Sequence, residues 1–328
     1  MIENRIKYID TAKAFGIILM ILGHCQYVGD IPYLGCFIYT FHMPLFFIIS
    51  GMFVKPMNLK YGLLKYSKAY IRPYIITCMM MLVLTLYLYL SNSGDGNVII
   101  NSLKIYAFGS GSNEGNALFH DFPKVGMIWF LLALFWGCLI YSKIKNCANN
   151  WNEKLLAAFF LFFIGYISAK YVRLPLSIQP GLCAVFFIFV GDVINNKLNI
   201  DTLSQINKYY IFIFVLLWLI TAKLGALNMA SCNYDIGIIQ IPISIFAVLL
   251  FLYFCKQFKI NLNWLGKNTL GILVGHQLYN SFCLQTGFNL CGLKTFLPPP
   301  VTLVTELLLQ VFVAVTLCVL LKKVRIIA

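Results

Sequence analysis

The chain has 328 residues, of which 60% are hydrophobic and only 11% charged, with a mean hydropathy of +0.82 and a formal net charge of +14. A soluble domain carries roughly a quarter charged residues. One soluble core cannot absorb repeated apolar stretches of roughly 20 residues, each near the length of a bilayer core, so a soluble protein is excluded.

Apolar runs between polar breaks predict ten spans, over 12–29, 34–54, 71–91, 126–142, 155–171, 180–195, 208–224, 236–255, 268–286 and 301–321. Backbone groups in lipid must be satisfied within a helix or a closed barrel, and the unbroken apolarity lacks the alternation of barrel strands. The expected fold is therefore all-α, a polytopic membrane bundle forming a single domain over 1–328, with no separate soluble domain. With ten spans, 19 of the 25 basic residues fall on one side and 6 on the other. The positive-inside rule places the rich side, and both termini, in the cytoplasm (N-in, C-in). That topology accounts for the positive net charge without a nucleic-acid partner, and part of the basic face could meet an anionic ligand or the membrane lipids themselves. No cleavable signal peptide is evident, because the first apolar run lacks a small-residue cleavage site and another span follows at once.

In the first span, His24 lies within Ile21-Leu22-Gly23-His24-Cys25. Ionisable residues inside spans are rare and face the protein interior. Lys13 is 11 residues earlier, which puts both on one helix face about 16 Å apart, and Asp10 could pair with Lys13. Either Lys13 snorkels and His24 is a packing hydrogen bonder, or His24 is a general base, a role suited to an imidazole. The second span opens Phe41-His42-Met43-Pro44-Leu45-Phe46-Phe47 and continues to Ser50-Gly51. Pro44 is expected to bend it, and His42 is either an interfacial packing residue or an active one. Lys60, Lys65, Lys68 and Arg72 precede the third span as flanking charge or as a cradle for phosphates.

Between the third and fourth spans, 92–125 is the one long outer connection. Its Gly109–Gly115 stretch reads as flexible and Val98–Phe108 as apolar enough for the membrane surface. His120-Asp121 in that loop reads as solvated rather than as an acid–base pair. Late in the chain, Asn268 reads as a helix cap, and His276 in the ninth span adds to a polar interior. Of the eleven cysteines, most fall in apolar runs as small hydrophobes, and none has metal-ligand spacing. Cys232, Cys283 and Cys291 lie in or near outer loops, where one bridge could form. No metal site is expected.

Four segments together resemble the membrane acyltransferase 3 family, and within it the fucose 4-O-acetylase-like sugar O-acetyltransferases of bacteria. They are Arg5 to Lys13 with His24 eleven residues on, Phe41–Gly51, Trp129-Phe130-Leu131 with Ala133-Leu134-Phe135, and Trp264–Leu270 leading to His276. The resemblance implies transfer of an acyl group, usually acetyl, from cytoplasmic acetyl-CoA to a hydroxyl of a glycan or lipid-linked sugar, in the bacterial cytoplasmic (inner) membrane. It implies His24 as catalytic base, and Lys13, Lys65 and Lys68 as residues serving the CoA end. On the residues alone, His42 is a second catalytic candidate and Arg72 a further one for the phosphates. The pair reads Lys-x-x-Lys here, where the family is more often arginine-rich. The rival reading is a transporter or flippase of lipid-linked sugars, which more often shows repeated halves or paired broken helices; neither is visible in this sequence.

Overall fold

The computed structural model describes residues 6–92, 97–113, 123–198, 200, 205–257, 260, 262–288 and 298–324. The chain opens with α1 (Lys7–Gly23), a 3₁₀ turn at Gln26–Asp30, and the short α2 (Leu34–Tyr39) and α3 (His42–Gly51). Next come α4 (Leu59–Tyr66), a π-helical turn at Ser67–Ile71, α5 (Arg72–Asn92) and α6 (Asn97–Phe108). The middle of the chain forms α7 (Trp129–Cys147), α8 (Trp151–Ser168), α9 (Ile178–Asn196) and α10 (Lys208–Leu224). Among the described residues the only strands, β1 (Leu227–Asn228) and β2 (Asn233–Tyr234), pair antiparallel with Leu227 opposite Tyr234. The chain closes with α11 (Gln240–Gln257), α12 (Asn263–Lys267), α13 (Thr269–Thr286) and α14 (Pro299–Lys323).

Six helical stretches are long and apolar enough to cross a membrane: Leu34–Gly51, Leu59–Ser91, Trp129–Cys147, Pro175–Asn196, Gly237–Gln257 and Pro299–Lys323. The protein is thus an all-α multi-pass membrane protein. Helices also occupy the other four predicted spans. Of these, α1 and α10 have only 17 residues, α8 starts on Trp151-Asn152-Glu153-Lys154, and α13 carries His276, Gln277, Asn280 and Gln285.

Local chemistry sets several boundaries. The Asn58 and Asn150 side chains accept from the Tyr61 and Glu153 backbone N–H groups, each capping a helix start. Pro299 and Pro300 open α14, where a missing N–H costs nothing.

The second predicted span departs from expectation. Its helix breaks at Thr40–Phe41, before Pro44, and the proline sits in the first turn of α3, where its lost N–H has no partner to lose. Pro44 is therefore not the cause of the bend. The break is held by the Trp218 indole N–H, which donates to Thr40 Oγ1 at 2.7 Å. The first span also ends early, so His24 is a C-cap residue and not mid-helix. The expected flexibility of Gly109–Gly115 fails for its described part. Ser110 and Ser112 are buried, the Ser177 hydroxyl donates to Gly109 O, and Arg173 donates to Ser112 O at 2.6 Å. Cys232 and Cys283 are free thiols. Cys291, His120 and Asp121 lie outside the described residues.

Small residues let helices meet closely, as expected where lipid supplies no hydrophobic drive between them. A methyl group on Gly51 would overlap the Ile188 carbonyl of α9, and one on Gly191 would overlap the Ile48 carbonyl of α3. Nearby, Lys145 of α7 pairs with Asp192 of α9 at 2.6 Å, and Tyr141 donates to the other carboxylate oxygen at 2.7 Å. Lys145 also donates to Val54 O at 2.9 Å, tying the chain after α3 to the same point. Asp192 is 1% exposed, so Asp192→Ala strands a largely buried ammonium. It should cost about 3 kcal/mol, measured as a lower thermal unfolding midpoint in detergent.

Candidate functional site

His24 sits where α1 stops and the chain turns. Its N–H returns to Ile21 O at 3.0 Å, and Cys25 beyond it is extended. The Tyr39 hydroxyl donates to Gly23 O at 3.3 Å. The Tyr39 ring lies between two histidines, with centroids 6.1 Å from His24 and 5.1 Å from His42. His42 starts α3, and its Nδ1 bonds the Ile38 carbonyl at 2.8 Å, beside the long backbone bond from the Phe41 N–H at 3.4 Å. The His276 ring, on α13, is 6.2 Å from His24. It is fully buried, with no hydrogen-bond partner on either nitrogen among the described residues. Three histidines from three parts of the sequence therefore converge.

Two cavities meet at this cluster. The first, of about 220 Å³, runs along α1 from Lys13 past Ile17 and Met20 to His24, walled by Phe46, Phe130, Leu134 and Leu273. The second, of about 620 Å³, extends from His24 and His42 to Lys124, Asn228, Gln277, Asn280 and Phe288. His24, Met43, Met127 and Trp129 line both. The first is narrow and mostly apolar, whereas the second is wider and carries amides.

Lys13 and His24 line the first cavity, His24 and His42 line the second, and His276 lies beside His24. Lys13 is half-buried, with its ammonium 5.8 Å from the centre of the Phe53 ring. Lys65, Lys68 and Arg72 are exposed and line neither cavity. Between them, however, Tyr70 of the π-helical turn reaches into the first cavity, and such turns often mark functional positions. Asn268 is the N-cap residue of α13, but its side chain makes no capping bond there. Its amide donates backward to Trp264 O at 2.7 Å, so it closes the turn of α12.

Sequence reasoning passed over Tyr39, Tyr70 and Gln277. Gln277 accepts from the Met127 N–H at 2.7 Å and leaves no space for a side chain at Gly126, whose φ of +85 also favours glycine. It thereby pins the loop that carries Met127 and Trp129 into both cavities. Its one signal was position, as a polar neighbour of His276 inside an apolar run. Among the described residues, no group of three His, Cys, Asp or Glu side chains could hold a metal ion.

Fold and site together define an integral membrane protein whose helical bundle holds two cavities with one imidazole, His24, on the walls of both. The chain belongs to the acyltransferase 3 family, whose acyltransferase domain matches residues 6–323, and it is a membrane acyltransferase. No curated protein and no solved structure matches the chain.

The two bare nitrogens of His276 give a stability test. A buried unsatisfied polar group costs roughly 1–3 kcal/mol. His276→Leu, of similar volume, should therefore raise the thermal unfolding midpoint in detergent by the equivalent of about 1 kcal/mol. A lowered midpoint would show that the ring is paired in the native membrane protein.

Proposed function

We propose that this protein is an O-acetyltransferase of the bacterial cytoplasmic membrane. In this reading it moves acetyl from cytoplasmic acetyl-CoA to a sugar hydroxyl of a surface polysaccharide or a lipid-linked glycan. The observation that carries the reading is the position of His24, on the walls of both cavities at the point where they meet.

The ten-span topology, with both termini in the cytoplasm, puts Lys13 at the cytoplasmic boundary and the β1–β2 hairpin at the outer side. The pantetheine arm of acetyl-CoA then lies in the first cavity, along the face of α1 that leads from Lys13 to His24. Its length matches the separation of about 16 Å expected for eleven helical residues. The nucleotide stays outside with its phosphates near Lys13, Lys65, Lys68 and Arg72, since cationic side chains pair with phosphate oxygens. The acceptor occupies the second cavity, where the amides of Gln277, Asn280 and Asn228 can bond sugar hydroxyls and Trp129 and Phe288 can face a sugar ring.

His24 accepts the proton of the acceptor hydroxyl as the oxygen attacks the thioester carbonyl. The tetrahedral intermediate then collapses, the C–S bond breaks, and the imidazolium returns its proton to the CoA sulfur. Acetyl, one proton and one electron pair are thus conserved across the step. Water competes poorly for the thioester where the donor arm lies between Phe46, Phe130 and Leu134.

General-base catalysis contributes typically 10²–10⁴-fold. His24→Ala should therefore remove acetyl transfer by at least about 10²-fold, with normal membrane insertion. Structural analysis of the surface glycan from cells carrying the variant reads this directly, and unchanged acetylation would sink the assignment. Changing Lys65 and Lys68 together to Ala should raise KM for acetyl-CoA about tenfold, or about 1.4 kcal/mol, with kcat nearly constant. Unchanged KM would place the phosphates elsewhere.

A further inference from the structure

The turn that follows His24 is gripped by a carboxylate from the far end of the chain. Glu306, on α14, is 2% exposed. Its Oε1 accepts from the Gln26 N–H at 2.7 Å and its Oε2 from the Tyr27 N–H at 3.1 Å. Gln310, one helical turn on, donates its Nε2 to Oε1 at 2.8 Å. Gln26 and Tyr27 open the 3₁₀ turn, so the turn itself leaves their N–H groups without acceptors. A buried acid in a membrane helix is costly to keep. This one receives three N–H donors at the point where the chain leaves the catalytic histidine.

His24 is thus bracketed on both sides. Before it, Tyr39 holds the Gly23 carbonyl. After it, one extended residue, Cys25, separates it from the two amides held by Glu306. With the backbone fixed at 23 and at 26–27, the ring of His24 has little freedom to leave the junction of the two cavities. Glu306 lines neither of those cavities. It lies behind Gln26, beside Tyr279, Asn280 and Cys283.

We propose that Glu306 is a positioning residue for His24, acting through the backbone of Gln26 and Tyr27 and touching neither substrate. This rests on His24 being the base. Losing the grip lets residues 24–27 relax, and a misplacement of about 1 Å at a reacting group costs on the order of 10²-fold in rate. Acetyl-CoA binding, by contrast, depends on the Lys13 end and should not respond.

The test is Glu306→Gln in the purified full-length protein, with kinetics scaled to the monodisperse fraction in detergent. It keeps the size of the side chain but replaces one accepting oxygen with an amide nitrogen that cannot accept from a backbone N–H. The expected result is a kcat lowered about 10²-fold, with KM for acetyl-CoA within twofold of wild type. Gln310→Leu, which removes only a donor to the carboxylate, should fall between wild type and Glu306→Gln, and it decides the matter if Glu306→Gln does not fold.

A second readout is the rate at which diethyl pyrocarbonate modifies His24, followed by mass spectrometry. That rate should change at least threefold in Glu306→Gln. Where turnover is measurable, wild-type kcat overturns the proposal, as does a parallel loss of kcat and acetyl-CoA affinity. If the wild-type protein shows no acetyl transfer, the acetyltransferase reading fails on its own. The labelling rate then decides the clamp, and an unchanged rate overturns it.

Discussion

Gly51 and Gly191 let α3 and α9 touch backbone to backbone, and much of the site depends on that contact. Because α3 is pressed onto α9, its other face is free to carry His42, Met43, Phe46 and Ile49 into the cavities. On its own other faces, α9 packs against α7 and α8, and α7 brings Trp129 and Phe130 to the opposite wall. The Asp192–Lys145–Tyr141 cluster locks α7 and α9 at one end of this crossing. A larger residue at either glycine would push α3 toward the cavities it lines, so packing and site geometry are one constraint.

A second theme is the placement of helix breaks. Irregular backbone at membrane depth is tolerated only where it is buried in protein or lines a cavity. The breaks after Gly23 and at Thr40–Phe41 surround the histidine cluster, and side chains satisfy their freed groups. Tyr39 bonds Gly23 O, His42 bonds Ile38 O, and Glu306 takes the amides of Gln26 and Tyr27. Several residues near the site thus serve first to make a break affordable in an apolar setting. His276 supports no break, and neither of its nitrogens has a partner among the described residues. A buried imidazole left bare on both nitrogens calls for an explanation, such as a bound group.

The two cavities differ as their ligands would differ. A narrow apolar passage suits a thioester on a flexible arm, and a wider amide-lined chamber suits a hydroxylated acceptor. Their shared wall is short, with His24, Met43, Met127 and Trp129 contributing to both. In the proposed reaction these walls hold the thioester and the hydroxyl against one imidazole.

The membrane class and the helical fold were legible in the linear sequence, as was the presence of His24 in an apolar run. Apolar runs of bilayer length and a histidine inside one of them are local facts that hydration energetics makes informative. Lys13 and His24 on one face also followed from helical periodicity, and both line the first cavity. Pro44 does not bend the second span as expected, because a proline's effect depends on whether it falls in the first turn, which only the folded chain decides. Asn268 does stand at the N-cap of α13, but its amide turns back to Trp264 in place of a capping bond. Tyr39, Tyr70, Gln277 and Glu306 carry little local signal, since each matters through a partner that only the folded chain brings near. Glu306 lies 280 residues from Gln26. Sequence alone determined that this is a helical multi-pass membrane protein, because burial of apolar surface is a property of each segment. Only tertiary structure decided what surrounds His24, because hydrogen bonds and shared cavity walls are properties of pairs.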